Sequence, residues 1–150
     1  MSDYEINEET LAIVPKNAEK SVIHEKFASF VVDKPVNKIM EDSCEYFGSS
    51  LTGRQKGTTK LTGISHKAPI IIEETKDVIF FPTTSPRLKR CAWLSLNNIE
   101  SYYRKKNKLV VEFKNKKKLV FNISYAVIDN QYSRATKLNY VLNQRKNEKS

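Results

Sequence analysis

The sequence predicts an α+β fold in which antiparallel strands form a twisted sheet or small open barrel, with one internal helix and a long C-terminal helix packed on the sheet. Three observations carry that expectation. Short β-branched and aromatic runs recur along the chain, from TLAIV near the start to KLVFNI near the end. In KLVVEF and KLVFNI an alternation of two puts Leu109, Val111 and Phe113 on one face, matched by Leu119, Phe121 and Ile123. Apolar residues recur at helical spacing twice, once after Pro35 and once after Ser124. The 150 residues are 39% hydrophobic and 29% charged, which suits one domain, residues 1–150, able to bury roughly 70% of its unfolded surface. Residues 1–8 and 144–150 are expected to fray.

The elements follow in order. TLAIV (10–14), KSVIHEK (20–26) and ASFVVD (28–33) read as a meander of strands. Asp33 then offers a capping carboxylate and Pro35 a residue suited to a first helical turn. Val36, Ile39, Met40, Cys44 and Phe47 form the apolar stripe of that helix, and Gly48 is placed to end it. Residues 49–68 are read as a mainly irregular segment with a helical turn or two around Leu51 to Leu61, because Gly53 and Gly57 each cost about 1 kcal/mol inside a helix. PIIIEE and DVIFFP pair across residues 74–76, Pro82 stops the second strand, TTSPRLKR (83–90) is a basic loop, and CAWLSL resumes as a strand. IESYYRK, KLVVEF and KLVFNI form a second meander. Ser124 caps a closing helix whose stripe is Tyr125, Ile128, Tyr132, Ala135, Leu138 and Leu142.

Charge narrows the function. The chain has 26 Lys and Arg against 17 Asp and Glu, a net +9, distributed as −5 over residues 1–50, +4 over 51–100 and +10 over 101–150. Such asymmetry points to a polyanionic partner. No apolar run approaches the roughly 18 residues of a membrane span, and the acidic N-terminus is unlike a signal peptide, so a cytoplasmic protein without a membrane partner is expected. Cys44 and Cys91 read as small buried hydrophobes rather than a disulfide. With His24 and His66 they offer four possible metal ligands, but no close pair, so neither a metal nor a cofactor is expected. A Cys91/His66 nucleophile pair has nothing in the sequence to orient it.

FGSSLTGRQKGTTKLTGISHKAPI (47–70) holds all four glycines of the chain. Gly48 and Gly53 have the spacing of a phosphate-binding P-loop, yet Arg54-Gln55 stands where that loop needs Lys-Ser/Thr. A nucleic acid suits the composition better. Ser49, Ser50, Thr52 and Thr58 can donate to phosphate oxygens, Arg54, Lys56, Lys60 and Lys67 supply charge, His66 can join them, and the glycines permit close approach. Arg87, Lys89 and Arg90 add a second basic loop, and Arg134 and Lys137 on the closing helix are secondary candidates. The competing reading is a solvated basic connector. The clusters RKKNK (104–108) and KNKKK (114–118) lie about 17 Å apart, at opposite ends of a strand, and read as charged turns that protect sheet edges.

Phe47 to Ser50, Gly53-Arg54, Gly57-Thr58, Ser65 to Lys67 with Pro69-Ile70, Phe81 to Thr83, the Cys91, Trp93 and Ser95 alternation, Ile123 to Tyr125, Asn130-Gln131 and Arg134-Ala135 together resemble the ComK family of competence transcription factors. The resemblance runs from about Ser43 to Tyr140. It implies an activator of genes for DNA uptake and recombination, which binds double-stranded DNA at A/T-rich boxes through the minor groove as a homodimer or higher assembly. It also implies a nucleoid-associated location, with RNA polymerase and a proteolysis adaptor as protein partners, and no catalysis. A competing expectation comes from the last three strands and helix, which resemble half of a pleckstrin-homology-like barrel and would make the chain a non-enzymatic module binding protein or anionic lipid.

Overall fold

A computed structural model of the protein describes residues 3–148; the first two residues and the last two of the expected tail lie outside them. Thr10–Pro15 (β1), Ser21–Glu25 (β2) and Ser29–Val32 (β3) form the first meander, followed by helices Val36–Tyr46 (α1) and Leu51–Thr62 (α2). Ile70–Glu73 (β4), Val78–Pro82 (β5) and Trp93–Ser95 (β6) come next, then a single 3-10 turn over Leu96–Asn98. Ile99–Lys105 (β7), Lys108–Phe113 (β8), Lys118–Phe121 (β9) and the helix Tyr125–Glu148 (α3) complete the chain. The α+β class and the closing helix are as the sequence predicts. The strands divide between two open antiparallel sheets, one ordered β3-β2-β1-β6-β5-β4 and the other β7-β8-β9. The last three strands therefore close no barrel.

Both faces of the larger sheet are covered, which explains its nearly continuous apolar strands. Along β5, Phe80 enters one core while its neighbours Ile79 and Phe81 enter the other, and on β6 Trp93 and Leu94 divide in the same way. The first core is completed by Val36, Ile39, Met40 and Cys44 of α1. Opposite it, Leu109, Val111 and Phe113 of β8 meet Ile128, Ala135, Leu138 and Leu142 of α3. Helix α2 covers the β4 edge, with half-buried Leu51 reaching the first core and Leu61 the second.

Two details depart from expectation. The cap position of α1 is Pro35, extended and without a side-chain bond, rather than Asp33, which lies two residues earlier and pairs with Lys20 at 3.5 Å. The β8–β9 turn is a clasp as well as a charged tip. Lys117 Nζ donates to the Glu25 and Ala28 carbonyls at 3.2 and 3.4 Å and to Ser29 Oγ at 2.7 Å, and Asn115 Nδ2 donates to the Lys26 carbonyl at 2.7 Å. The two meanders are joined at that end. Among the described residues no helix is long and apolar enough to cross a membrane.

Candidate nucleic-acid interface

The Gly-Ser-Thr segment is a junction between two helices, not an irregular loop. Gly48 sits at φ +83°, where a side chain would be strained, and from there its N–H reaches the Glu45 carbonyl at 2.9 Å. Ser50 then caps α2 by accepting from the Gly53 N–H at 2.9 Å, and Glu41 Oε2 accepts from the Leu51 N–H at 3.1 Å. A Cβ on Gly53 would lie 3.0 Å from Ser50 Oγ and 3.1 Å from Ser49 Oγ, so this glycine makes room for the cap. Gly63, at φ +81°, ends the helix. Two good termini and packing on three neighbouring elements outweigh the cost of the internal glycines.

Helical spacing sorts the predicted contact residues into two faces. Thr52, Lys56 and Lys60 are exposed, whereas Thr58 is buried, its hydroxyl donating to the Pro69 carbonyl at 2.6 Å. Arg54 is half-buried on that inner side. Its Nε is enclosed without an acceptor, a situation that costs about 1–3 kcal/mol when a buried donor stays unpaired.

Beyond α2 the chain is pinned to α3. Buried Gln131 donates from Nε2 to the Lys67 carbonyl at 2.9 Å and to the Pro82 carbonyl at 2.8 Å, and its Oε1 accepts from Arg134 Nη1 at 2.8 Å. Arg134 Nη2 also donates to the His66 carbonyl at 2.6 Å, and Lys137 Nζ to the Thr62 carbonyl at 3.3 Å. Thus Arg134 and Lys137 hold the segment that carries exposed His66 and half-buried Lys67. With its backbone so fixed, Lys67 lines a cavity of about 470 Å³ together with Arg90, Thr83, Thr84 and Ser124 at the start of α3. Two basic segments separated in sequence meet there, beside a helix N-terminus that favours negative charge.

The remaining loop cations face elsewhere. Arg87 and Lys89 line a second concavity with Pro35 and Asn37, and Asn37 Nδ2 holds the loop by donating to the Pro86 carbonyl at 2.6 Å. Arg54 opens into a third, of about 280 Å³, between α2 and the end of α3. Among the described residues, the side chains of Arg54, Lys56, Lys60, Lys67, Arg87, Lys89 and Arg90 make no hydrogen bond or ion pair within the protein. Their charge is available to an external anion, whereas that of Arg134 and Lys137 is already directed inward.

Neither thiol is poised as a nucleophile. Burial pushes the Cys44 thiol up to about 11 and raises that of Cys91, which contacts the carbonyls of Thr84 and Ala92. Gln131 was legible as a buried position, since it falls between Ile128 and Ala135 on the buried row of α3. Its hydrogen bonds to two distant carbonyls have no signal in sequence, and neither does the approach of Arg145 and Lys146 to Arg54, because residue type does not show which segments a helix meets.

The family model described as ComK protein matches residues 1–147. The chain is 33% identical over 138 residues to the competence transcription factor of Bacillus subtilis (strain 168), a similarity covering 89% of this chain and 72% of that relative. No solved structure matches the chain.

Proposed function

The chain belongs to the ComK family, and from that premise we propose that it is a competence transcriptional activator, a single DNA-binding domain that acts on A/T-rich duplex boxes in the cytoplasm. The observation that carries the reading is the meeting of Lys67 and Arg90 in one cavity at the start of α3, with the Lys67 segment fixed by buried Gln131. Cations without internal partners and backbone N–H groups at a helix start are what a phosphodiester backbone requires. Helix α3, 24 residues from Tyr125 to Glu148, is ~36 Å long at 1.5 Å per residue, close to the roughly 34 Å of one duplex turn. Uncommitted cations lie at both ends of that length. Entry of Lys67, Arg90 or neighbouring cations into the minor groove is the finer part of the proposal, because narrow A/T-rich grooves concentrate negative potential. Assembly as a homodimer on two boxes belongs to it as well.

Footprinting and gel-shift titration on A/T-box DNA test the proposal. With about six phosphates neutralised, affinity falls on the order of a thousandfold between 50 and 200 mM salt. The Lys67→Ala/Arg90→Ala double variant should bind more weakly and lower the salt slope by about two. A salt-insensitive complex, or a double variant indistinguishable from wild type, overturns the assignment.

A further inference from the structure

The cavity between the first half of α2 and the end of α3 is separate from the one that holds Lys67 and Arg90. It is lined by Ser49, Gly53 and Gly57 on one side and by Leu142, Arg145 and Lys146 on the other, with Arg54 between them. Three features describe what it accepts. The Arg54 guanidinium has no carboxylate partner among the described residues, and its Nε is enclosed without an acceptor. Arg145 and Lys146 bring two more cations against the carboxylates of Glu74, which lines the cavity, and Asp77, which pairs with Lys146 at 2.8 Å. Gly53 and Gly57 keep the α2 wall low, and a Cβ on Gly57 would meet nothing within 4 Å. A half-buried arginine is also poorly placed to protrude into a groove; an anion has to come to it.

We propose that this cavity is a seat for a single phosphate group, with the Arg54 guanidinium as its main ligand and Arg145 as its second. A planar fork of donors suits phosphate oxygens, and the bound group satisfies the enclosed Nε. The phosphate belongs either to a small phosphomonoester or to the DNA backbone; in the second case the inference deepens, and rests on, the DNA-binding reading above.

The test uses the whole chain and two ligands, inorganic phosphate and A/T-box duplex DNA. Phosphate at about ten times its dissociation constant, against chloride of equal ionic strength, should raise the melting temperature of wild type by about 3–6 °C and broaden the ³¹P resonance. Arg54→Gln, which removes the ligand, and Gly57→Leu, which fills the cavity and keeps every charge, should both abolish the response, while Lys108→Gln, a charge control at the exposed first position of β8, retains it. If Arg54→Gln also weakens DNA binding beyond Lys108→Gln and lowers the salt slope by about one, the phosphate is that of the backbone. If DNA binding is unchanged, the ligand is a small phosphomonoester. Equal phosphate responses in wild type and both cavity variants, or none with either ligand, overturn the seat. DNA binding that still depends on Lys67 and Arg90 would then leave the broader reading intact.

Discussion

Replacing Gln131 with leucine separates hydrogen bonding from packing at the point where α3 holds the Lys67 segment. Leucine fills nearly the same volume, so no cavity opens. Three bonds disappear: those to the Lys67 and Pro82 carbonyls and the one from Arg134. The Pro82 contact is buried, so its carbonyl is left without a partner at a cost of about 1–3 kcal/mol. The Lys67 and Arg134 groups lie nearer water and recover part of their loss, at about 0.5–1 kcal/mol each. Burial of the leucine returns about 1 kcal/mol. A net loss of about 1–4 kcal/mol follows, its midpoint corresponding to a melting temperature lower by roughly 5–10 °C for a chain of this length. Trp93, the sole tryptophan and fully buried, reports unfolding in urea by its fluorescence. Because the backbone carrying Lys67 loosens, DNA affinity should fall about tenfold under conditions where the variant remains folded. Stability within about 0.5 kcal/mol of wild type, together with an unchanged footprint, would refute the claim that Gln131 organises this surface.

The glycines of α2 and its approach should respond differently to alanine. Gly57→Ala stabilises by about 0.5–1 kcal/mol in urea unfolding, whereas Gly48→Ala, at φ +83°, and Gly53→Ala, against the capping serines, destabilise by about 1 kcal/mol each. Thr58→Val, which strands the Pro69 carbonyl, costs about 1–3 kcal/mol by the same measurement. Lys117→Met tests the clasp between the meanders through His24, whose pKa is held below its ordinary value by burial and secondarily by the Lys117 charge. The unfolded chain binds that proton first, so His24 favours the fold above its ordinary value near 6.5 and this contribution is lost as pH falls through the depressed folded value. Removing Lys117 should raise the His24 titration midpoint seen by NMR and lessen the acid loss; an unmoved midpoint excludes the Coulombic part.

The strands and the closing helix were legible because their apolar periods are strong and because Ser124 caps the helix as read, accepting from the Val127 N–H at 3.2 Å. Helix α2 was not. Its own sequence, with two glycines and four threonines, favours no regular structure, and what forms it is tertiary: Glu41 from α1 at its start and Pro69 beyond its end. The split into two sheets was equally hidden, since the period of a strand identifies its buried face but not its neighbour. At the candidate site, residue type identified the cations and left their direction open. Arg54 and Lys56 look alike in sequence, yet two positions along a helix turn one inward and the other to solvent.

The pairing of β1 with β6 has a consequence for the nascent chain. Ala12 and Ile13 have as partners Leu94 and Trp93, about 80 residues later. At roughly 5–20 residues per second the ribosome needs about 4–16 s to supply that partner. During this interval the hairpin of β1 and β2 is complete, and the other edge of β1 presents unpaired N–H and C=O groups and bare apolar side chains. Synthesis of this protein therefore includes a waiting period in which the middle of the future sheet is an open edge, exposed to wrong strand pairing until β6 arrives.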